Sequence, residues 1–112
     1  MQRGEIWLVN LNPTIELEFR KTRPAVIISS DLVGILPLKV IVPFTAWKDR
    51  YAQAPWMVRV DSSEQNGLSK PSAADALQIR SVSQQRLVQK LGDLSPLQVA
   101  KIVQAVMTVL QR

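Results

Sequence analysis

The hydrophobic pattern of this 112-residue chain changes its period near residue 80, and this change limits the fold more than any other feature. Before residue 80 the apolar residues form short runs rich in β-branched side chains, and Asn, Pro and Gly separate the runs. Such runs are typical of strands, which we predict at residues 6–9, 24–29, 38–44, 56–60 and 72–79. Pro43 predicts that the third strand lies at an edge or ends there, and Asn66-Gly67 predicts a turn.

After residue 80 the apolar residues favour helices. Ser83 predicts the N-cap of a short helix that runs to about residue 90, and Gly92 would break it. Ser95-Pro96 predicts the start of a second helix, because a hydroxyl N-cap is followed by proline at the first helical position. One face of this helix is apolar; its residues are Val99, Ile102, Val103, Val106 and Leu110.

Strands followed by helices argue against alternating β-α-β units and a parallel sheet. We therefore predict a mainly β fold, a small antiparallel barrel of about five strands covered by one C-terminal helix. The length suits a single domain over residues 1–112.

Composition narrows the possible chemistry. Cysteine and histidine are both absent, which excludes a thiol nucleophile, an imidazole base and the usual zinc ligands. The acids are scattered, and only Glu16 and Glu18 suggest a metal site in a loop, so we expect no metal and no cofactor. The net charge of +5 favours a polyanionic partner: nucleic acid, an acidic protein segment or an anionic surface. No apolar run approaches the ~20 residues that span a bilayer, and we expect a cytoplasmic protein without membrane contact.

Polar residues that need an explanation lie near the predicted strand ends. They are Arg20, Lys21, Arg23, Thr45, Gln78 and Arg80. If these strand ends meet at one rim, the side chains form a basic groove with hydrogen-bond donors. RNA carries its own nucleophile, the 2′-hydroxyl, so a fixed arginine and a hydroxyl suffice to stabilise the more negative phosphorane. Such a site is feasible without imidazole.

Several segments carry a resemblance to a known family. They are Arg3-Gly4-Glu5-Ile6-Trp7-Leu8-Val9, Asn12-Pro13-Thr14, Glu18 and Lys21-Thr22-Arg23-Pro24-Ala25-Val26-Ile27-Ile28-Ser29, and later Val42-Pro43-Phe44-Thr45, Lys70-Pro71-Ser72, Gln78-Ile79-Arg80-Ser81-Val82 and Arg86-Leu87. Together they resemble the MazF/PemK toxins. The resemblance implies an SH3-like barrel of the CcdB/MazF type with a C-terminal helix, which dimerises. It also implies a sequence-specific, metal-independent endoribonuclease toxin of a type II toxin–antitoxin system. Such a toxin cleaves single-stranded RNA to 2′,3′-cyclic phosphate and 5′-hydroxyl ends, and the acidic tail of a cognate antitoxin occupies its RNA groove.

Three residues take catalytic roles by this resemblance. Arg23 would stabilise the phosphorane and donate a proton, and Thr45 would hold a phosphate oxygen. Glu18 would act as a base or recognise a nucleobase. The general base stays open between Arg23, Glu18 and another group, since a guanidinium holds its proton too strongly to be a good base.

RNA contacts are expected from residues in loops and at strand ends. These are Phe19, Arg20, Lys21, Trp47, Asp75, Gln78 and Arg80. Trp47 is the candidate for stacking on a base, whereas Trp7 is expected to pack in the core. The family often has an acid where this chain has Leu77. On a strand Asp75 would share a face with Leu77, so either Asp75 replaces that acid or the site lacks it.

Some alternatives remain. Arg23 could instead form a surface ion pair with Glu18. The chain could be a CcdB-like gyrase inhibitor, although the ending Leu110-Gln111-Arg112 lacks the aromatic-glycine-hydrophobic tail of that class, or an inactive RNA-binding module. We predict a homodimer because the run over residues 26–28 is apolar on both faces, one for the core and one for a partner subunit.

Overall fold

The computed structural model describes residues 1–11, 22–34 and 36–111. These residues form seven strands and one α-helix. They are β1 (Glu5–Asn10), β2 (Thr22–Ile27), β3 (Leu38–Ala46), β4 (Met57–Val60), β5 (Ser72–Asp75), β6 (Arg80–Ser83), β7 (Leu87–Asp93) and α1 (Pro96–Leu110). The mainly β class with a C-terminal helix is confirmed, but the described residues contain seven strands rather than about five. The SH3-like label came from the family resemblance and stays a prediction.

All strand pairs given by the structure are antiparallel, in the order β4-β5-β3-β2-β1-β7, with β6 paired to β3 beside this path. The long strand β3 has three partners: β6 through Ile41, β2 over residues 41–43, and β5 from Phe44 onwards. Pro43 lies between the part of β3 that pairs with β6, which ends at Ile41, and the part that pairs with β5, which begins at Phe44. The ladder on that side is interrupted there, which suits a residue without a backbone N–H. The expectation of an edge position or strand end at Pro43 is therefore wrong.

The sheet buries apolar residues in two clusters. The larger cluster contains Val26, Val42 and Phe44 and is covered by the buried face of α1. The second contains Ala25, Ile27 and Ile41 with residues of β1, β6 and β7. Both faces of β2 are thus buried within one chain, with Ala25, Val26 and Ile27 at most 1% exposed. The argument that a free apolar face of β2 awaits a partner subunit is wrong.

The predicted helix over residues 83–90 is also wrong. Ser83 does accept a hydrogen bond, from the backbone N–H of Gln85, but it caps only a single 3₁₀ turn, Gln84–Arg86. The chain then continues as β7, which pairs with β1. Pairing with a buried neighbour has overridden the local preference. The predicted fifth strand ends early, at Asp75, because the next three residues form a 3₁₀ turn.

The main helix begins where the sequence predicts. Ser95 is its N-cap: the Ser95 hydroxyl accepts from the backbone N–H of Gln98, and the Gln98 side chain accepts from the backbone N–H of Ser95. This reciprocal pair satisfies two backbone donors at the helix start. Proline follows at the first helical position.

The connection between β4 and β5, residues 61–71, is held against β7; we call it the β4–β5 loop. The buried Asn66 side chain accepts two backbone N–H groups of this loop and donates to the carbonyl oxygen of Asp61, at 2.8 Å. Gly67 has a φ of +71°, and a side chain there would overlap the carbonyl of Leu91. A side chain at Gly92 would lie 2.5 Å from the carbonyl carbon of Asn66. The turn predicted at Asn66-Gly67 is confirmed, and it packs closely on β7.

Candidate active site

A cleft of about 280 Å³ opens where β2 and β3 separate. The pairing of these strands ends at Ala25 and Pro43, because β3 then pairs with β5 while the first residues of β2 pair with β1. The residues lining the cleft are Arg23, Pro24, Phe44, Thr45, Ala46, Leu68, Ser69, Lys70 and Ser72. The start of β2, the end of β3 and the β4–β5 loop therefore all contribute to the walls of the cleft.

Arg23 and Thr45 line this same cleft. Arg23 is opposite Val9 in β1, and Thr45 is opposite Ala73 in β5. If the β2–β3 register were continued by two residues, it would bring Arg23 opposite Thr45. The Arg23 side chain is exposed, and within the described part of the chain no carboxylate is paired with it. The structure thus brings together two of the three residues given catalytic roles.

The cleft is suited to an anion. Two cations line it, Arg23 and Lys70, and no carboxylate does so among the described residues. Hydroxyl groups come from Thr45 and Ser69, while the Ser72 hydroxyl donates to the carbonyl oxygen of Lys70 at 2.9 Å. Guanidinium, ammonium and hydroxyl donors without a competing acid form a binding site for phosphate oxygens.

Lys70 was missed as a site residue. It belongs to the Lys70-Pro71-Ser72 segment that carries the family resemblance, but no local pattern indicates that the β4–β5 loop reaches the start of β2. Lys70 directly precedes Pro71 as Arg23 precedes Pro24, and this shared pattern was the available signal.

Four of the expected site residues lie outside the described residues. They are Glu18, Phe19, Arg20 and Lys21. Their proposed roles as base or recognition group (Glu18) and as RNA contacts (the other three) stay predictions.

Asp75 and Gln78 contact each other rather than the cleft. The Asp75 carboxylate caps the 3₁₀ turn by accepting from the backbone N–H of Leu77, and Gln78 Nε2 donates to its other oxygen at 2.9 Å. Because Leu77 lies in this turn and not on a strand, the expectation that Asp75 and Leu77 share a strand face is wrong.

Arg80 also lies apart from the cleft lining. It begins β6, opposite Ile41 of β3, and its side chain is exposed. Ile41 is four residues from Thr45, which corresponds to about 13 Å along a strand. The structure therefore does not group Asp75, Gln78 and Arg80 with Arg23 and Thr45.

Trp47 lies beside the cleft, directly after Thr45 and Ala46. Its backbone N–H donates to the carbonyl oxygen of Pro71, and its ring makes an edge contact with Tyr51. The guanidinium of Arg59 lies 5.0 Å from the ring centroid. The indole Nε1 is buried and has no hydrogen-bond partner among the residues that the structure describes. A nucleobase that approaches this face of the Trp47 ring would therefore contact Arg59 first.

Trp7 packs as expected. Its ring lies against the second apolar cluster, and its indole N–H donates to Glu5 Oε1 at 2.9 Å. Trp7 therefore packs against the core as predicted, although it is only partly buried.

The part of the chain that the structure describes offers neither a cluster of metal ligands nor a membrane-spanning helix. In residues 1–11, 22–34 and 36–111, no three carboxylates come close enough to hold a metal ion. No helix in that part of the chain has the length and apolar character needed to cross a bilayer.

Comparison with known proteins gives consistent results. A family model described as the PemK-like, MazF-like toxin of type II toxin–antitoxin systems matches residues 2–110. Endoribonuclease MazF9 of Mycobacterium tuberculosis is 33% identical, covering 94% of this chain and 92% of that protein. Endoribonuclease EndoA of Bacillus subtilis is 26% identical, covering 94% and 90%.

Solved structures share the fold. A mycobacterial endoribonuclease in complex with its cognate antitoxin superposes with a TM-score of 0.75 at 22% identity, covering 98% of this chain and 94% of that one. MazF from Deinococcus radiodurans gives a TM-score of 0.75 at 20% identity, covering 98% and 96%.

Proposed function

Because the chain belongs to the PemK-like, MazF-like toxin family of type II toxin–antitoxin systems, we propose that it is a sequence-specific endoribonuclease that cleaves single-stranded RNA without a metal ion. The observation that carries the proposal is the cleft in which Arg23 and Thr45 lie together with Lys70 and without an acid among the described residues. The endoribonuclease names of the relatives support the same activity.

The reaction is an internal transfer. The 2′-oxygen attacks the adjacent phosphorus, the bond from phosphorus to the 5′-oxygen breaks, and a 2′,3′-cyclic phosphate and a 5′-hydroxyl result. A base takes the 2′-hydroxyl proton, and an acid supplies a proton to the 5′-oxygen. The phosphorane has more negative charge on its equatorial oxygens than the ground state has, so fixed donors aimed at those oxygens lower the barrier.

Arg23 and Thr45 are the donors for this charge. A guanidinium can donate two parallel hydrogen bonds to two phosphate oxygens, and the Thr45 hydroxyl can hold one more. Lys70 adds a second positive charge to the lining of the cleft. Arg23 is also our candidate for the proton donor. The base stays a choice between Arg23, Glu18 and another group.

The test uses purified protein, a long mixed-sequence RNA and EDTA. We expect cleavage at a short motif, cyclic phosphate ends, and no cleavage when one 2′-deoxynucleotide replaces the nucleotide that supplies the attacking hydroxyl. Mapping the ends would also give the motif. Metal-dependent cleavage, or ends with a 5′-phosphate, would contradict the proposed chemistry.

Substitutions test the site assignment. Arg23→Ala should lower kcat by about 10²-fold or more, and Thr45→Val should lower it to a smaller extent, since each removes donors to the transition state. Lys101→Ala, on the exposed side of α1, is the control and should cleave like the wild type. An Arg23→Ala protein with wild-type kcat would sink the assignment.

Three further parts of the proposal concern partners and location. A cognate antitoxin with an acidic tail would neutralise the basic cleft, and the similar mycobacterial endoribonuclease was solved in complex with its cognate antitoxin. We also propose a homodimer, and a cytoplasmic location, where messenger RNA is available.

A further inference from the structure

Four residues lie in a row across the sheet on the face that carries Thr45; we call them the cross-strand row. Arg59 in β4 is opposite Ala73 in β5, and Ala73 is opposite Thr45 in β3. Arg23 lies at the other end of the row, across the cleft from Thr45. Residues opposite one another in antiparallel strands point to the same face, so the Arg59 guanidinium and the Thr45 hydroxyl lie on the face of the buried Ala73.

The spacing suits an extended strand of nucleic acid. Two interstrand steps separate Arg59 from Thr45, which is about 10 Å between their backbones. Ala73 between them is fully buried, with 0% exposure, so a strand that reaches both residues must pass over the side chains that cover Ala73.

Arg59 is held on two sides. Its guanidinium lies 5.0 Å from the Trp47 ring centroid, and its Nε donates to Asp61 Oδ1 at 2.9 Å. The aromatic contact and the hydrogen bond together fix the plane of the group. Trp47 is in turn anchored by its backbone N–H to the carbonyl oxygen of Pro71, in the loop that carries Lys70.

The outer edge of the Arg59 guanidinium remains available. Asp61 engages Nε only, and the two terminal amino groups have no partner within the described part of the chain. The Arg59 side chain is 49% exposed and the Asp61 side chain is 72% exposed, so water screens this ion pair and leaves most of the positive charge effective. Two amino groups on a fixed plane match the oxygens of a phosphodiester.

We propose that Arg59 binds a backbone phosphate of the RNA next to the scissile region, with Trp47 as the residue that positions its guanidinium. This rests on the proposed function, since the RNA must first occupy the cleft between Arg23 and Thr45. Trp47 then contributes through Arg59 and not by direct stacking on a base. The contact holds the strand without reading its sequence.

The experiment compares Arg59→Met, Arg59→Lys and Arg50→Met with the wild type. Arg50 is the matched control, because it is also an exposed arginine stacked on an aromatic ring, 5.5 Å from the Tyr51 centroid, but it lies in a 3₁₀ turn outside the cross-strand row. Steady-state cleavage is measured on a long RNA and on short RNAs truncated on either side of the cut. Binding is measured against salt with an RNA made uncleavable by one 2′-deoxynucleotide.

We expect Arg59→Met to raise KM about tenfold on the long RNA with kcat unchanged, as loss of an interaction made equally in ground and transition states requires. The slope of log Kd against log salt should fall by about 0.7, the value for one phosphate of a single strand. Arg59→Lys should recover part of the loss, and Arg50→Met should match the wild type. One of the two truncated RNAs should be insensitive to Arg59→Met.

Three outcomes would overturn the inference: an unchanged KM and salt slope for Arg59→Met, an equal effect of Arg50→Met, or a loss confined to kcat. These outcomes bear on Arg59 only if the wild-type protein cleaves RNA in the same experiment. Absence of wild-type cleavage is a failure of the proposed function, so the two failures are distinguishable. Equal melting temperatures of the variants exclude misfolding as the cause.

Discussion

Glu5 is a buried acid whose charge is held in place by its neighbours. It is 9% exposed, accepts the Trp7 indole N–H on one oxygen, and has Lys90 Nζ 3.6 Å from the other. Burial raises the pKa of this carboxyl. The hydrogen bonds from Trp7 and the Gln2 backbone, together with nearby positive charges, lower the pKa by more than burial raises it, so the net pKa lies below its ordinary value. The charged form is therefore favoured in the folded state.

A Glu5→Gln substitution should reveal this as a pH-dependent loss of stability. The folded pKa is below the unfolded one, so the charge stabilises the fold at neutral pH, and this contribution is lost as pH falls from about 4.3 through the folded pKa. We expect Glu5→Gln to lower the free energy of unfolding by roughly 1 kcal/mol at pH 7, measured by urea denaturation. The difference from the wild type should vanish at the acid end of the series. An equal difference at every pH would show that charge is not the cause.

At single positions, the sequence predicts the location of a side chain better when the strand backbone determines it than when a hydrogen bond to one of several available partners determines it. Arg23 is kept extended by Pro24, and it does line the cleft with Thr45 as expected. Asp75 instead turns onto its own backbone, at the N–H of Leu77, which residue type alone does not reveal. Lys70 reaches the cleft only through a loop whose path depends on packing against β7.

Among the elements, α1 has the strongest local signals. Its capping box, its proline at the first turn and its apolar face all agree, and its buried residues Val99, Ile102, Ala105 and Val106 cover the larger cluster. When cap, propensity and pattern agree, an element forms where the sequence predicts it.

Replacing Ser95 with alanine should destabilise the protein by about 1 kcal/mol, because a backbone N–H at the helix start loses its acceptor. Ser95→Asp should keep most of the stability, since a carboxylate accepts the same hydrogen bond. Thr108→Ala, on the exposed side near the helix end, is the matched hydroxyl deletion. Urea unfolding that ranks Thr108→Ala as the more harmful change would argue against the role of the cap.

The elements after Asp75 were harder to predict, and the reason is pairing. The segment over residues 83–90 has a serine and polar residues that suit a helix start, yet it becomes a 3₁₀ turn and part of β7 because β1 offers it a partner. Long-range pairing of this kind is absent from any local window of sequence. The position of Pro43 within β3 depends on long-range pairing too, because a proline is tolerated there only where β3 changes its neighbour from β6 to β5.

In the whole molecule, two apolar clusters share one sheet, and both are closed within the described part of a single chain. Some of the apolar side chains that remain exposed lie in the β2–β3 connection, among them Leu32 at 94% and Leu36 at 51%, while others lie on α1, such as Leu97 and Leu110. Exposed apolar groups that lie near each other are typical of association surfaces. This, with the family resemblance, supports the proposed homodimer.

Light scattering should therefore give twice the chain mass of 12.6 kDa at micromolar concentration. Leu32→Ser, combined with Leu36→Ser, should reduce the dimer fraction if the contact uses the β2–β3 connection. Exposed Leu97→Ser, at the start of α1, is the matched control. A monomer at all concentrations tested would contradict the dimer, and a dimer insensitive to the double substitution would exclude this surface.

The β4–β5 loop supplies Ser69 and Lys70 to the cleft, and Asn66 and the two close glycine contacts with β7 fix it in the protein without RNA. A wall already in place loses little conformational entropy when substrate arrives, so more of the contact energy appears as affinity. The proposed site is in this sense preorganised by two glycines that do not line the cleft. Enlarging either one would weaken binding at a distance, through the freedom returned to the loop.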